Sequence, residues 1–234
     1  MDQFKGLSRN VLVTGALQAA LRAQAGPDLT WTDAAITASL SATLAAAPGE
    51  DIWVFAYGSL LWNPIFPVAA RRRAHIHGYH RSFCLRAHLG RGTPARPGLV
   101  LGLDTGGSCT SLVLKIGGTN VADELRLLWQ REMIGGFYVP RWIRARSAES
   151  EITVLAFVAD RQSPHYAGRL TDVEAATVIA GASGLVGSNF DYLHRTERAL
   201  FDIGIADRRL MALRQHCEDR RLEQGLPAEQ PMAA

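Results

Sequence analysis

The chain has 234 residues, 47% hydrophobic and 20% charged, a balance that excludes a disordered or fibrous protein and allows one substantial core with a small appendage. Its formal net charge of +3 is too small an excess to argue for a nucleic-acid partner, and no run approaches the about 20 apolar residues of a membrane-spanning helix. Three widely separated cysteines, Cys84, Cys109 and Cys217, fit neither a disulfide framework nor a zinc spacing, so a cytoplasmic protein is expected.

At the N-terminus, Lys5 and Arg9 precede the apolar run "VLVTGALQAAL" and then "AQA", which imitates a signal peptide with its small-residue cleavage site. Thr14, Gly15 and Gln18 interrupt that run and Asp2 weakens the positive start, so an amphipathic helix is the better reading. Helices are expected over 8–24 and 31–47, separated by "AGPD" and closed by "PGE", forming an N-terminal helical extension over residues 1–50.

The composition then changes. "IWVFAYGSLLW" reads as a buried strand delivering the glycine turn Gly58-Ser59, stopped by Asn63-Pro64. Further strands are expected in "RRAHIHGY", "RSFCLR", "GLVLGLD", "CTSLVLKI", "YVPRWIRAR" and "EITVLAFVAD", with a helix between the fifth and sixth of the series. Thr171 and Glu174 form a capping box for a helix to about Ala182. Helices near 187–202 and 207–223 complete a domain over 51–225, and 226–234 reads as a frayed tail. This order predicts an α+β fold whose sheet is mostly antiparallel and barrel-like, with helices packed around it.

Several motifs have bland readings. The run Arg71, Arg72, Arg73 is a solvated strand entrance. His75 and His77 share a strand face, but His80 is out of phase and no carboxylate completes a metal site. Cys84 and Ser59 lack the setting of a nucleophile, since "YGSLL" has no second glycine of a nucleophile elbow.

"ADELRLLWQREMIGGFY" is harder to dismiss. Leu125, Leu128, Trp129 and Met133 form one apolar helix face, and Glu132 falls inside it. The acid either snorkels to water from the last turn or is kept for chemistry; helix C-termini disfavour anions, which makes a purely structural acid odd there. The turn at Gly58 has two readings as well: a plain strand end, or a display of backbone N–H groups for a carboxylate or oxyanion, beside a pocket shaped by Tyr57 and Trp62. A base facing an array of N–H donors is what an amide rearrangement needs.

"WVFAYGSLLWNP", "RSFCLRAHLGRGT", "LLWQREMIGGFYVPRW", "SPHYAG" and "GASGLVGSNFDYL" together closely resemble the bacterial ChaC-like proteins, the glutathione-specific γ-glutamylcyclotransferases, from about residue 50 to 200. The resemblance implies a γ-glutamylcyclotransferase-like mixed barrel that cleaves glutathione to 5-oxoproline and cysteinylglycine without metal or cofactor. It implies that Tyr57, Gly58, Ser59 and Leu60, led in by Val54, Phe55 and Ala56, hold the γ-glutamyl group. Glu132 corresponds to the proton acceptor, and Tyr138 to an aromatic residue lining the pocket. Two departures, Gly98-Leu99 and Tyr166-Ala167-Gly168-Arg169, touch peripheral contacts only.

Arg86, taken to share a strand face with Ser82 and Cys84, is expected to meet the substrate's glycine carboxylate. A cyclotransferase for other γ-glutamyl amides and a non-catalytic γ-glutamyl-peptide binding module remain the competing readings. Oligomeric state is left open.

Overall fold

A computed structural model describes residues 7–226; Asp2 and Lys5, and all of the expected tail except Leu226, lie outside the described residues. Three short helices lead the chain: α1 (Arg9–Val13), α2 (Ala16–Ala25) and α3 (Asp33–Ala45). The first two were expected as one helix. Gly15, with φ of 70°, takes the left-handed conformation that glycine enters freely and breaks the run there.

Five strands close into a barrel, β1 (Trp53–Ala56), β2 (Val68–Ala87), β3 (Gly98–Ile116), β4 (Tyr138–Ser147) and β5 (Glu151–Ala159), in the order β1-β3-β2-β4-β5. β5 returns to pair in parallel with β1 at Val54↔Leu155 and with β3 at Leu103↔Val158, while the other pairings are antiparallel. The expected mostly antiparallel, barrel-like α+β architecture is therefore the one observed.

Four of the expected strands are two. "RRAHIHGY" and "RSFCLR" run on as β2, and "GLVLGLD" and "CTSLVLKI" as β3, because the glycines read as breaks are absorbed within the long hairpin. Register shifts between His77/Tyr79 and Phe83/Leu85 mark β-bulges in β2. Helix α4 (Val121–Glu132) consequently lies between the third and fourth strands.

After the barrel come α5 (Asp172–Gly181), the short β6 (Ser183–Gly184) and β7 (Gly187–Ser188) pair, α6 (Asn189–Asp202) and α7 (Arg208–Glu223). The Thr171–Glu174 capping box is present at the start of α5, with each side chain bonded to the other's backbone N–H.

β1 is buried along its whole length and its side chains alternate between two cores. Val54 and Ala56 join a cluster with residues of α1 to α4, whereas Phe55 joins one with residues of α5 to α7. Helices thus pack on both sides of one short strand, and the N-terminal helices share the barrel's core through Leu12, Leu17, Leu21 and Leu40.

Hydrogen bonds fix those helices in place. Trp31 N–H donates to the Ile134 carbonyl at 2.8 Å, Trp142 Nε1 to the Thr43 carbonyl at 3.0 Å and Trp129 Nε1 to Ser39 Oγ at 3.2 Å. Arg9 forks onto Glu124, with 2.7 Å between Nη2 and Oε1, and also donates to the Ile65 carbonyl at 2.7 Å. Glu124 is a second acid on the buried face of α4, and Arg9 compensates it fully.

The bland motifs have structural roles. Arg72 stacks on Trp53 at 4.9 Å and pairs with Glu149 at 3.1 Å. The His75 and His77 rings lie 4.5 Å apart, and His75 Nδ1 is 2.8 Å from Thr110 Oγ1. Among the described residues no group of three His, Cys, Asp or Glu is placed to hold a metal, and no helix is long and apolar enough to cross a membrane.

Gly136 carries the joint between the extension and the barrel. Its φ is 61°, and a Cβ there would lie 2.4 Å from Trp31 Nε1. Gly136→Ala should therefore cost about 2 kcal/mol or more, from the left-handed backbone and the displaced indole, read as a lowered midpoint in urea unfolding.

Candidate active site

The site forms where β1 ends. Past Ala56 the chain turns at Tyr57-Gly58 into a short 3-10 turn over Ser59–Leu61. Glycine is required at 58 by proximity, since a Cβ would sit 2.9 Å from the Tyr192 hydroxyl of α6. The turn is held from beneath by β2 and β3: Arg81 Nε donates to the Tyr57 carbonyl at 2.6 Å, and Ser111 Oγ donates to the Ala56 carbonyl. Arg81 is itself paired with Asp207 at 2.6 Å. The first N–H groups of such a turn have no acceptor within it.

The last turn of α4 meets this corner and delivers Arg131 and Glu132. Arg131 Nη2 donates to Ser59 Oγ at 2.6 Å and Nη1 to the Asn63 carbonyl at 2.6 Å. Its Nε lies 3.1 Å from Glu132 Oε1, but without hydrogen-bond alignment, and Oε1 has no hydrogen-bond partner among the described residues. The two side chains are 7% and 14% exposed. Burial raises the Glu132 pKa, and the Arg131 charge opposes only part of that rise. Burial likewise lowers the Arg131 pKa, against the pull of Glu132.

Glu132 faces a small cavity walled by Tyr57 to Leu60, Tyr138, Phe157 and Tyr192. Tyr57 donates its hydroxyl proton to the Phe157 carbonyl at 2.6 Å, and Tyr138 donates to the Leu101 carbonyl at 2.8 Å. Burial, reinforced by neighbouring Glu132 and, for Tyr138, by the other tyrosines, pushes both phenols well above their usual range. Both stay neutral, with their protons committed to the backbone and their oxygen lone pairs left as acceptors. Two phenol oxygens and a carboxylate make a set that suits an ammonium group.

A nucleophile of the protein's own is hard to find here. Burial pushes the Cys84 thiol up to about 12, Asp104 adding to the effect, and the Ser59 hydroxyl accepts from Arg131. Among the described residues no histidine lines this cavity or the one beside it.

That second cavity, of about 130 Å³, shares Ser59, Glu132, Tyr138 and Tyr192 with the first and runs past Trp62 and Arg91 to helix α2. Arg91 is buried, donates to the Ser188 carbonyl at 2.8 Å and to Asp191 at 3.1 Å, and faces the rings of Trp62 and Tyr192 at 5.8 and 5.6 Å.

Six residues singled out in the sequence, Tyr57, Gly58, Ser59, Leu60, Glu132 and Tyr138, line one cavity. Val54, Phe55 and Ala56 lie wholly within the strand and two cores, and anchor the turn from behind. Arg86 is elsewhere: it is exposed and lines neither cavity. The bulge between Phe83 and Leu85 breaks the alternation that was to keep it in phase with Cys84. Arg131, Arg91, Tyr192 and Gln18 were missed. Arg131 stood beside Glu132 in a quoted motif, as Tyr192 stood in "NFDYL", whereas Gln18 was read only as a flaw in an apolar run.

The class of protein this fold and site define is the cyclotransferase-type barrel. A crystal structure of a γ-glutamyl cyclotransferase specific to glutathione from yeast has the same fold, with a TM-score of 0.67 at 23% identity, covering 75% of this chain and 99% of that one. Residues 52–220 match the model of the ChaC-like protein family. Similar sequences include the glutathione-specific γ-glutamylcyclotransferase of Escherichia coli K12, 38% identical over 76% of this chain and 78% of the relative. Another is glutathione-specific γ-glutamylcyclotransferase 1 of Rattus norvegicus, 33% identical over 67% and 76%. This chain belongs to the ChaC-like family.

Two outcomes follow for the acid–guanidinium pair. Arg131→Met removes one partner of a buried pair and should cost about 3 kcal/mol in urea unfolding. Glu132→Gln should show the raised pKa through stability. Below about pH 3, where glutamate is protonated in folded and unfolded chains alike, the variant and the parent should melt together. As pH rises toward neutral the parent must ionise a buried carboxyl or hold it protonated, so the variant's Tm should exceed the parent's by a growing margin.

Proposed function

We propose that this chain is a cytoplasmic, glutathione-specific γ-glutamylcyclotransferase in which Glu132 moves the proton. One observation carries the reading: a buried carboxylate oxygen without a hydrogen-bond partner, facing a strand-end turn and two acceptor phenols. The names of the relatives supply the substrate.

The substrate's α-ammonium docks among Glu132, Tyr57 and Tyr138, an acceptor set that favours the cation. Desolvation makes Glu132 a stronger base than a surface glutamate, so it takes one ammonium proton and frees the amine. The amine attacks the γ-carbonyl carbon, forming the ring C–N bond and pushing charge onto the carbonyl oxygen. The first amides of the turn after Gly58 receive that charge, a contribution of about 3 kcal/mol per well-placed donor.

Protonated Glu132 then gives its proton to the departing nitrogen as the old C–N bond breaks. The ring nitrogen sheds its second proton through the same carboxylate, and that proton ends on the released cysteinylglycine amine. One ammonium is consumed and one is formed, so the balance needs no metal, redox partner or cofactor. Holding γ-glutamyl in the bent, ring-closing conformer supplies the entropic part of the acceleration. Arg91, in the adjoining cavity, replaces Arg86 as the contact for a carboxylate on the leaving half.

A cyclotransferase for other γ-glutamyl amides is the second reading, because Glu132 and the turn meet only the half that all such substrates share. A binding module has little use for a buried base with an unsatisfied oxygen. Purified protein should release 5-oxoproline from glutathione, detected by mass spectrometry. Equal release from γ-glutamyl amino acids would favour the second reading. Glu132→Gln should retain glutathione affinity within a few-fold and lose turnover by several orders of magnitude; near-normal turnover would remove Glu132 from the chemistry.

A further inference from the structure

The far wall of the 130 Å³ cavity comes from the N-terminal helices, through Leu7, Leu17, Gln18 and Leu21. These residues lie outside the stretch that matches the family, which begins at residue 52. Gln18 is the polar member of that wall. Its side chain is buried, with the residue 5% exposed; Nε2 donates to Gln130 Oε1 at 3.4 Å, and Oε1 has no hydrogen-bond partner among the described residues. Gln130 lines the same cavity.

A buried carbonyl oxygen without a donor destabilises the fold, and an aliphatic side chain between Leu17 and Leu21 would pack without that cost. Gln130 takes the amide nitrogen of Gln18, and a ligand that brings an N–H into the cavity would satisfy the oxygen. The geometry of the two cavities fixes which part of a ligand that is. On the cyclotransferase reading the γ-glutamyl half sits in the small cavity beside Glu132, which takes the leaving half past Ser59 and Tyr138 into the larger one, toward α2.

We propose that helix α2 is a specificity element for the leaving half of the substrate, in which Gln18 Oε1 accepts a hydrogen bond from a peptide N–H while Leu17 and Leu21 enclose the adjoining side chain. This deepens, and rests on, the cyclotransferase reading. The substrate class it selects is γ-glutamyl peptides whose leaving group is at least a dipeptide, over γ-glutamyl amino acids, whose leaving half has no second amide N–H to offer.

The test combines turnover with binding. Turnover of glutathione by the parent protein checks the cyclotransferase reading alone. Calorimetric affinities for glutathione and γ-glutamylalanine, measured in the Glu132→Gln background with and without Gln18→Leu, check the role of α2 without requiring turnover. Gln18→Leu should lower the ratio of the two affinities at least tenfold against glutathione, with Tm unchanged or raised. Gln18→Met, closer in shape, should do the same. An unchanged ratio in both variants, or a lowered Tm with the ratio intact, would make Gln18 a packing residue and overturn the proposal. Absence of 5-oxoproline from the parent together with a shifted binding ratio would sink the catalytic reading and leave the recognition role of α2 standing.

Discussion

The site depends on how one guanidinium is divided. Arg131 reaches from the end of α4 to a turn 72 residues away and spends both terminal nitrogens on it, one on Ser59 Oγ and one on the Asn63 carbonyl. Only Nε is left toward Glu132, at 3.1 Å and out of line. A guanidinium fork aimed squarely at the carboxylate would have satisfied the acid and held it firmly ionised. Divided as it is, Arg131 supplies enough charge to make burial of the acid tolerable and too few hydrogen bonds to quiet it. The same contacts fix the distance between helix end and glycine turn, so geometry and basicity come from one side chain.

Glu124, two turns earlier on the same helix, shows what full compensation looks like. It is as buried as an acid on that face must be, and Arg9 grips both of its oxygens. The pairing ties α1 to α4 and contributes to seating the N-terminal helices over the barrel. Two carboxylates on one helix thus have opposite fates: one is spent on assembling the wall of the cavity, and the other faces into it with one oxygen lacking a hydrogen-bond partner among the described residues.

Much of this was legible in the sequence because it followed from local pattern. The glycine turn, the acid inside an apolar stripe and the Thr171–Glu174 cap each declared themselves within a few residues. What was not legible depended on long-range register. The glycines near 106 read as a break, yet a 20-residue strand resumes pairing on the far side of a register shift there, because cross-strand partners outweigh local breaks. The bulge at Cys84 had no signature at all, and Arg86 just beyond it lies exposed at the surface. Tyr192 and Gln18 were invisible for a related reason: a side chain donated to a cavity from another element leaves no periodic mark on its own.

Two of the phenol protons around the small cavity are already committed. Tyr57 and Tyr138 have committed theirs to the carbonyls of Phe157 and Leu101, and burial keeps both phenols from ionising. On the proposed mechanism both face a bound ammonium as acceptors, which holds the cation in place but also opposes losing its charge. In the proposed mechanism the opposition is relieved at Glu132, whose protonated form burial favours. Once the proton crosses, the amine remains hydrogen-bonded by two fixed phenol oxygens and has lost the charge that prevented attack. The protonated acid then lies 3.1 Å from a cation that favours release of the proton. In the proposed mechanism, binding, activation and return of the proton all draw on the unsatisfied oxygen of this one buried acid.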